Sequence, residues 1–111
     1  MLCDVAMNPH DPAAHRARAV AAHAAGRIGD AIAEMRTAAG LDPDAVSLRL
    51  ELGQMLASAG RMDEAIAVFR EATELKPEQA EAWYFLGMGL YTARRDAQAL
   101  PAFERAHALA P

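Results

Sequence analysis

Apolar residues recur at intervals of three and four along most of this chain, the spacing that gathers them on one face of a helix. Leu48, Leu52, Met55 and Leu56 form one such stripe, and Ala65, Val68, Phe69 and Ala72 form its partner. Leu86 and Leu90 repeat the arrangement against Ala99, Phe103 and Ala106. Breakers divide these stripes. Asp11-Pro12 reads as an N-cap followed by a first-turn proline, and Gly26 as the left-handed residue that closes a helix. The spacing predicts helices over 12–25, 29–39, 45–59, 62–75, 78–93 and 97–109. Gly40, Pro43, Gly60, Pro77 and the run Arg94-Arg95-Asp96 separate them.

The stripes also repeat as a set. Ala31, Ala65 and Ala99 lie 34 residues apart, as do Ala38, Ala72 and Ala106. The bulky Met35, Phe69 and Phe103 keep the same period, and so do Leu41, Leu75 and Leu109 and the prolines Pro43, Pro77 and Pro111. A fixed period of this length marks stacked units, each unable to bury its apolar face alone. The fold expected is all-α, a solenoid (α-α superhelix) of three antiparallel helix hairpins over 12–45, 46–79 and 80–111. Residues 1–11 fit no repeat and form an N-terminal extension. Gly53 and Ala65, and Gly87 and Ala99, are small where the two helices of a hairpin must approach closely.

Trp83, Leu86, Gly87, Ala99, Phe103, Ala106 and Pro111 match the tetratricopeptide repeat signature in type and spacing. Leu52, Gly53, Gly60, Ala65, Phe69, Ala72 and Pro77 do so in the middle unit. Over 12–111 the chain therefore resembles a three-repeat tetratricopeptide domain. The first unit departs from the pattern, with His15 where Trp83 stands and Arg18 in the position of Leu52 and Leu86. A charged side chain resists burial there, so unit one is expected to be a worn cap whose first helix packs loosely. Pro101 removes one hydrogen bond from the last helix and is expected to bend its start.

The resemblance implies a protein-interaction scaffold or adaptor, not an enzyme, whose first-of-pair helices line a concave groove. The groove would hold a peptide or helix of a partner protein. Projected onto this chain it takes Arg16, Val20 and His23 from unit one and Leu50 and Gln54 from unit two. Unit three adds Tyr84, Phe85, Met88 and Tyr91. Helical spacing independently puts Tyr84, Met88 and Tyr91 on one face, away from Leu86 and Leu90. Exposed aromatics and methionine suit adaptable recognition, while Arg16 and Gln54 would orient polar groups. The acidic chaperone tails that family members grip with a cationic clamp are disfavoured as partners. Only Arg16 is cationic at the matching places, and Glu51 and Glu81 would repel a carboxylate.

The formal charge is −4, with no basic block to neutralise phosphates, so nucleic acid is not an expected partner. No apolar run approaches the roughly 20 residues of a membrane span. Cys3 is the only cysteine, and the chain shows no signal-peptide pattern, so the expected compartment is the cytoplasm. His15 and His23 are spaced too far apart to share an ion from one helix, so neither a metal nor a cofactor is expected. No nucleophile stands at a predictable distance from a histidine, and no glycine-rich phosphate loop is present. Asp63-Glu64 suits a helix start, and Glu71, Glu74 and Glu78 read as a solvated face. Leu100, Phe103 and His107 fall on the stacking face beyond the third hairpin, a candidate surface for homo-oligomers. Two rival readings remain. The chain would be a repeat segment of a larger bacterial enzyme of the glycosyltransferase or sulfotransferase type, or a self-association module working through that uncapped end.

Overall fold

The computed structural model describes residues 10–110. Within them lie α1 (Pro12–Ala24), α2 (Ile28–Leu41), α3 (Val46–Ser58), α4 (Met62–Leu75), α5 (Ala80–Thr92) and α6 (Asp96–Leu109). Consecutive helices pack as antiparallel hairpins, and each hairpin stacks on the next. The radius of gyration is 14.8 Å, above the roughly 13 Å of a globule this long. Extents of 49 × 26 × 20 Å describe an elongated stack.

Local chemistry explains where the helices stop. Asp11 accepts a hydrogen bond from the Ala13 N–H at 3.0 Å, with Pro12 opening α1. The first helix of every hairpin closes with the same backbone bond, from Arg27 to the Ala22 carbonyl, Arg61 to Leu56 and Arg95 to Leu90, at 2.8, 2.9 and 2.8 Å. That closure needs a left-handed residue. Gly26 (φ 81°) and Gly60 (φ 78°) supply it, but in the third hairpin Arg94 adopts φ 63° itself. The second helix runs past its expected end, through Gly40 to Leu41. Burial of Ala38 and Ala39 outweighs the ~1 kcal/mol that a helical glycine costs. α6 continues unbroken through Pro101, and Ala97, which loses a partner to the proline, is exposed to water.

At the centre of each hairpin a small residue faces a large one. A Cβ on Gly53 would overlap the Phe69 ring, 2.7 Å from its Cζ, and one on Gly87 would stand 2.8 Å from Phe103 Cδ1. The matching positions of the first hairpin hold Ala19 and Met35, both fully buried. A larger small partner is thus met by a slimmer large one, and the volume is conserved. Unit one is consequently not loosely packed. Ala14, Ala22, Ala31 and Ile32 are buried, and so is His15, whose Nδ1 lies 2.7 Å from Glu34 Oε1. Arg18 is half-buried.

Stacking between hairpins uses other residues. Phe85 of α5 lies on Phe69 of α4 with ring centroids 5.5 Å apart and planes at 17°. Gly89 lets α5 come close, since a Cβ there would sit 3.2 Å from Ile66 Cγ1. The turns between hairpins are tied by equivalent side chains. Arg49 Nη1 donates to the Pro43 carbonyl at 2.6 Å, and Trp83 Nε1 to the Pro77 carbonyl at 2.7 Å. Ion pairs join neighbouring units from Arg16 to Glu51, Arg36 to Glu64 and Arg95 to Asp63, at 2.8, 3.0 and 3.2 Å. Asp63 and Glu64 therefore do more than face a helix dipole. The hydrogen bond from Arg61 to Glu64, at 2.5 Å, lowers the Glu64 carboxyl pKa and raises that of the guanidinium.

Candidate functional site: the first-helix groove and the end face

α1, α3 and α5 present positions related by the 34-residue period side by side, so each position can be judged against its own equivalents. Val20, Gln54 and Met88 share one such position and all are exposed, Val20 at 46 % and Met88 at 40 %. His23 and Tyr91 share another and are exposed too, while Ala57 between them packs partly against the core. A depression of about 240 Å³ bridges α1 and α3, lined by His23, Glu51, Gln54, Met55 and Ser58. The 34-residue equivalence puts Val20, Gln54 and Met88, and likewise His23 and Tyr91, on the same face of their helices.

Other expected groove residues lie elsewhere. Leu50 is 3 % exposed and belongs to the core. α3 is the middle first helix and packs against α2, α4 and α5, so the buried Leu50 offers nothing to a ligand. Phe85 is half-buried in its stack on Phe69. Arg16 is exposed, but its Nε spans both oxygens of Glu51 at 2.9 and 2.8 Å. That pair neutralises the cation expected to orient a ligand and the carboxylate expected to repel one.

Tyr84 occupies the position of Leu50, yet it is 50 % exposed. Leu50 has a further hairpin over it, whereas Tyr84 meets Phe85 and Phe103 edge-on, each at 6.0 Å, and has open space on its outer side. The same contrast marks Leu100, which is 60 % exposed where Ile32 and Ile66 are each 3 %. Tyr84 thus belongs with the end face. A cavity of about 370 Å³ lies there, lined by Glu81, Tyr84, Phe103, Ala106 and His107 among others. Phe103 is half-buried, its ring turned inward over Gly87, and His107 is exposed.

A family model described as tetratricopeptide repeat matches residues 5–46, 24–80 and 69–111, nearly the whole chain. The chain belongs to the tetratricopeptide repeat family. Its three tetratricopeptide hairpins superimpose on solved structures at low sequence identity. MamA matches with a TM-score of 0.84 at 20 % identity, over 95 % of this chain and 61 % of that one. YrrB, described as a tetratricopeptide protein with an unusual peptide-binding site, matches with 0.81 at 23 %, over 91 % and 52 %. A further form, MamA AMB-1, matches with 0.78 at 25 % identity, over 97 % and 57 %. The chain thus spans between about half and three-fifths of these proteins, and the likeness establishes the fold. No curated protein matches it.

Among the described residues no helix is long and apolar enough to cross a membrane. None of their His, Cys, Asp or Glu side chains gather in threes that could hold an ion. The signal that separates groove from end face, a comparison of equivalent positions, was present in the sequence. Which equivalents lie under a following hairpin was not.

Proposed function

We propose that this tetratricopeptide chain is a non-enzymatic interaction scaffold that holds a peptide or helix of a partner protein along α1, α3 and α5. One observation carries the reading. Val20, Met88 and Tyr91 keep large apolar surfaces in water, while Ala19, Leu86 and Leu90 on the same helices are buried. Apolar patches of that kind, beside the polar Gln54 and His23, are characteristic of binding surfaces. With Arg16 held by Glu51, an apolar segment fits the groove better than an acidic tail. A single cysteine, unable to form an internal disulfide, suits a cytoplasmic setting. The deciding experiment is affinity capture from the native cell with the parent chain and with Met88→Ala/Tyr91→Ala. Loss of the partner at unchanged melting temperature supports the groove. Equal recovery by both chains removes it.

A second reading, self-association, is favoured by Leu100. Its equivalents Ile32 and Ile66 are covered, so a covering element is the natural complement of this face. Sedimentation over a range of concentrations should show an assembly that Leu100→Glu abolishes. A strictly monomeric parent chain ends that reading and leaves the groove untouched. The possibility of a segment within a larger enzyme rests on how little of its structural relatives the chain spans.

A further inference from the structure

The hairpins carry a set of repeat-equivalent clefts on the side away from the groove, between the first and second helices of a unit. In unit two the cleft encloses about 360 Å³ and is charged but self-neutralised. Arg36 Nη2 lies 3.0 Å from Glu64 Oε1, and Arg49 Nε lies 3.7 Å from Glu71 Oε1. In unit three it encloses about 570 Å³, and the same four positions hold Arg70, Trp83, Gln98 and Arg105. Both carboxylates are gone. One arginine is kept in place, a second replaces an acid, and an indole replaces the other arginine. Among the described residues no ion pair neutralises Arg70 or Arg105. The floor is apolar, made by Leu86, Leu90 and Ala102, all buried.

The two cations stand apart in the cleft: Arg105 lies at one end, and Arg70, whose unit-two equivalent Arg36 reaches the equivalent of Gln98, belongs to the other. Because α5 and α6 run antiparallel, Trp83 at the start of one helix lies beside Arg105 near the end of the other. The guanidinium carbon sits 5.9 Å from the ring centroid. Leu90 and Gln98 mark the opposite end. From Trp83 to Leu90 the cleft follows α5 for about 10 Å at the helical rise of roughly 1.5 Å per residue. Extended chain covers that distance in about three residues, with alternate side chains facing the same way.

We infer that the unit-three cleft binds an extended segment of a partner protein in which a carboxylate side chain stands two residues from a bulky apolar one. The carboxylate sits on Arg105 at the Trp83 end, the apolar side chain lies on Leu86 and Leu90, and Arg70 adds a second positive charge to the lining. Gln98 can both donate to and accept from the segment's backbone. Binding here is separate from binding in the groove, since the two surfaces share no residue.

Trp83 is the only tryptophan in the chain, so its fluorescence reports on this site alone. The probe is a capped tripeptide of leucine, alanine and glutamate, compared with its glutamine counterpart and with octanoate. Titration should give a saturable change in emission, about tenfold weaker for the glutamine peptide and for Arg105→Gln. Arg70→Gln should act in the same direction but less, and Arg27→Gln in unit one should change nothing. All three substitutions are at exposed positions, and circular dichroism checks that helicity is retained. Equal binding of the two peptides, indifference to Arg105→Gln, or the absence of any titration would overturn the proposal. So would octanoate binding more tightly than the glutamate peptide, which would make the site one for small amphiphiles.

Discussion

Replacing Gly53 by alanine should destabilise the domain, whereas the equivalent change at Gly87 should be nearly neutral. Both substitutions gain about 1 kcal/mol of helix propensity. Both place a methyl against a phenylalanine ring, 2.7 Å from Phe69 Cζ in one case and 2.8 Å from Phe103 Cδ1 in the other. The rings differ in freedom. Phe69 is 3 % exposed and pinned beneath Phe85, so most of the ~1–3 kcal/mol of overpacking strain must be borne there. Phe103 is half-buried beside the 370 Å³ end cavity and can turn aside for less than about 1 kcal/mol. The expected net loss is up to about 2 kcal/mol for Gly53→Ala and within about 1 kcal/mol of zero for Gly87→Ala. Unit one supplies the rescue, because Ala19 and Met35 already fill the equivalent space. Phe69→Met alone should cost about 1–2 kcal/mol through the lost aromatic stack. Combined with Gly53→Ala, it should cost about 1 kcal/mol less than the sum of the two single losses. Urea unfolding followed by circular dichroism measures all four chains. Equal losses at Gly53 and Gly87, or strict additivity in the double variant, would refute the reasoning.

Arg94→Gly should stabilise the domain by about 1 kcal/mol by removing a side chain from a left-handed residue, read as a raised urea midpoint. Leu50→Ala should cost about 2–4 kcal/mol and Met88→Ala less than about 0.5 kcal/mol, which separates core from groove by thermal melting. The lowered Glu64 pKa means that its ion pair stabilises the fold above the unfolded carboxylate value and that this contribution is lost as pH falls through the folded one. The stability difference between the parent chain and Glu64→Gln should accordingly be full at neutral pH and shrink below about pH 4. A difference that persists undiminished in acid would remove Glu64 as its source.

Helix positions and the hairpin pairing were legible because they depend on local spacing, caps and a repeat that no insertion interrupts. The α4 boundaries, Met62 and Leu75, are those the apolar spacing implies. Gly40 misled because its conformational cost is small beside the burial of its neighbours. Arg94 concealed a left-handed turn because the residue type gives no sign of it. Arg18 suggested a loose first hairpin, but an arginine stem can be covered while its head reaches a polar partner. Leu50 and Tyr84 were indistinguishable as sequence, since both are large apolar residues at one position of the period. Their burial differs only because one has a hairpin beyond it.

That last contrast bears on how function can be argued in a stack of repeats. Every structural position in the stack occurs three times, so two copies serve as the reference for the third. Where all three stay exposed, as with Val20, Gln54 and Met88, packing within the stack does not account for the apolar members. Where two are covered and one is bare, as with Ile32, Ile66 and Leu100, the difference follows the position of the unit in the stack, and exposure says nothing about a groove. Where charge balance holds in one copy and fails in the next, as between Glu64 and Glu71 on one side and Gln98 and Arg105 on the other, stability gives no reason for the change. An isolated surface arginine contributes little to folding, so packing gives no account of Arg70 or Arg105 in the third cleft. In unit two the same comparison leaves nothing to explain, since Arg49 and Glu71 face one another.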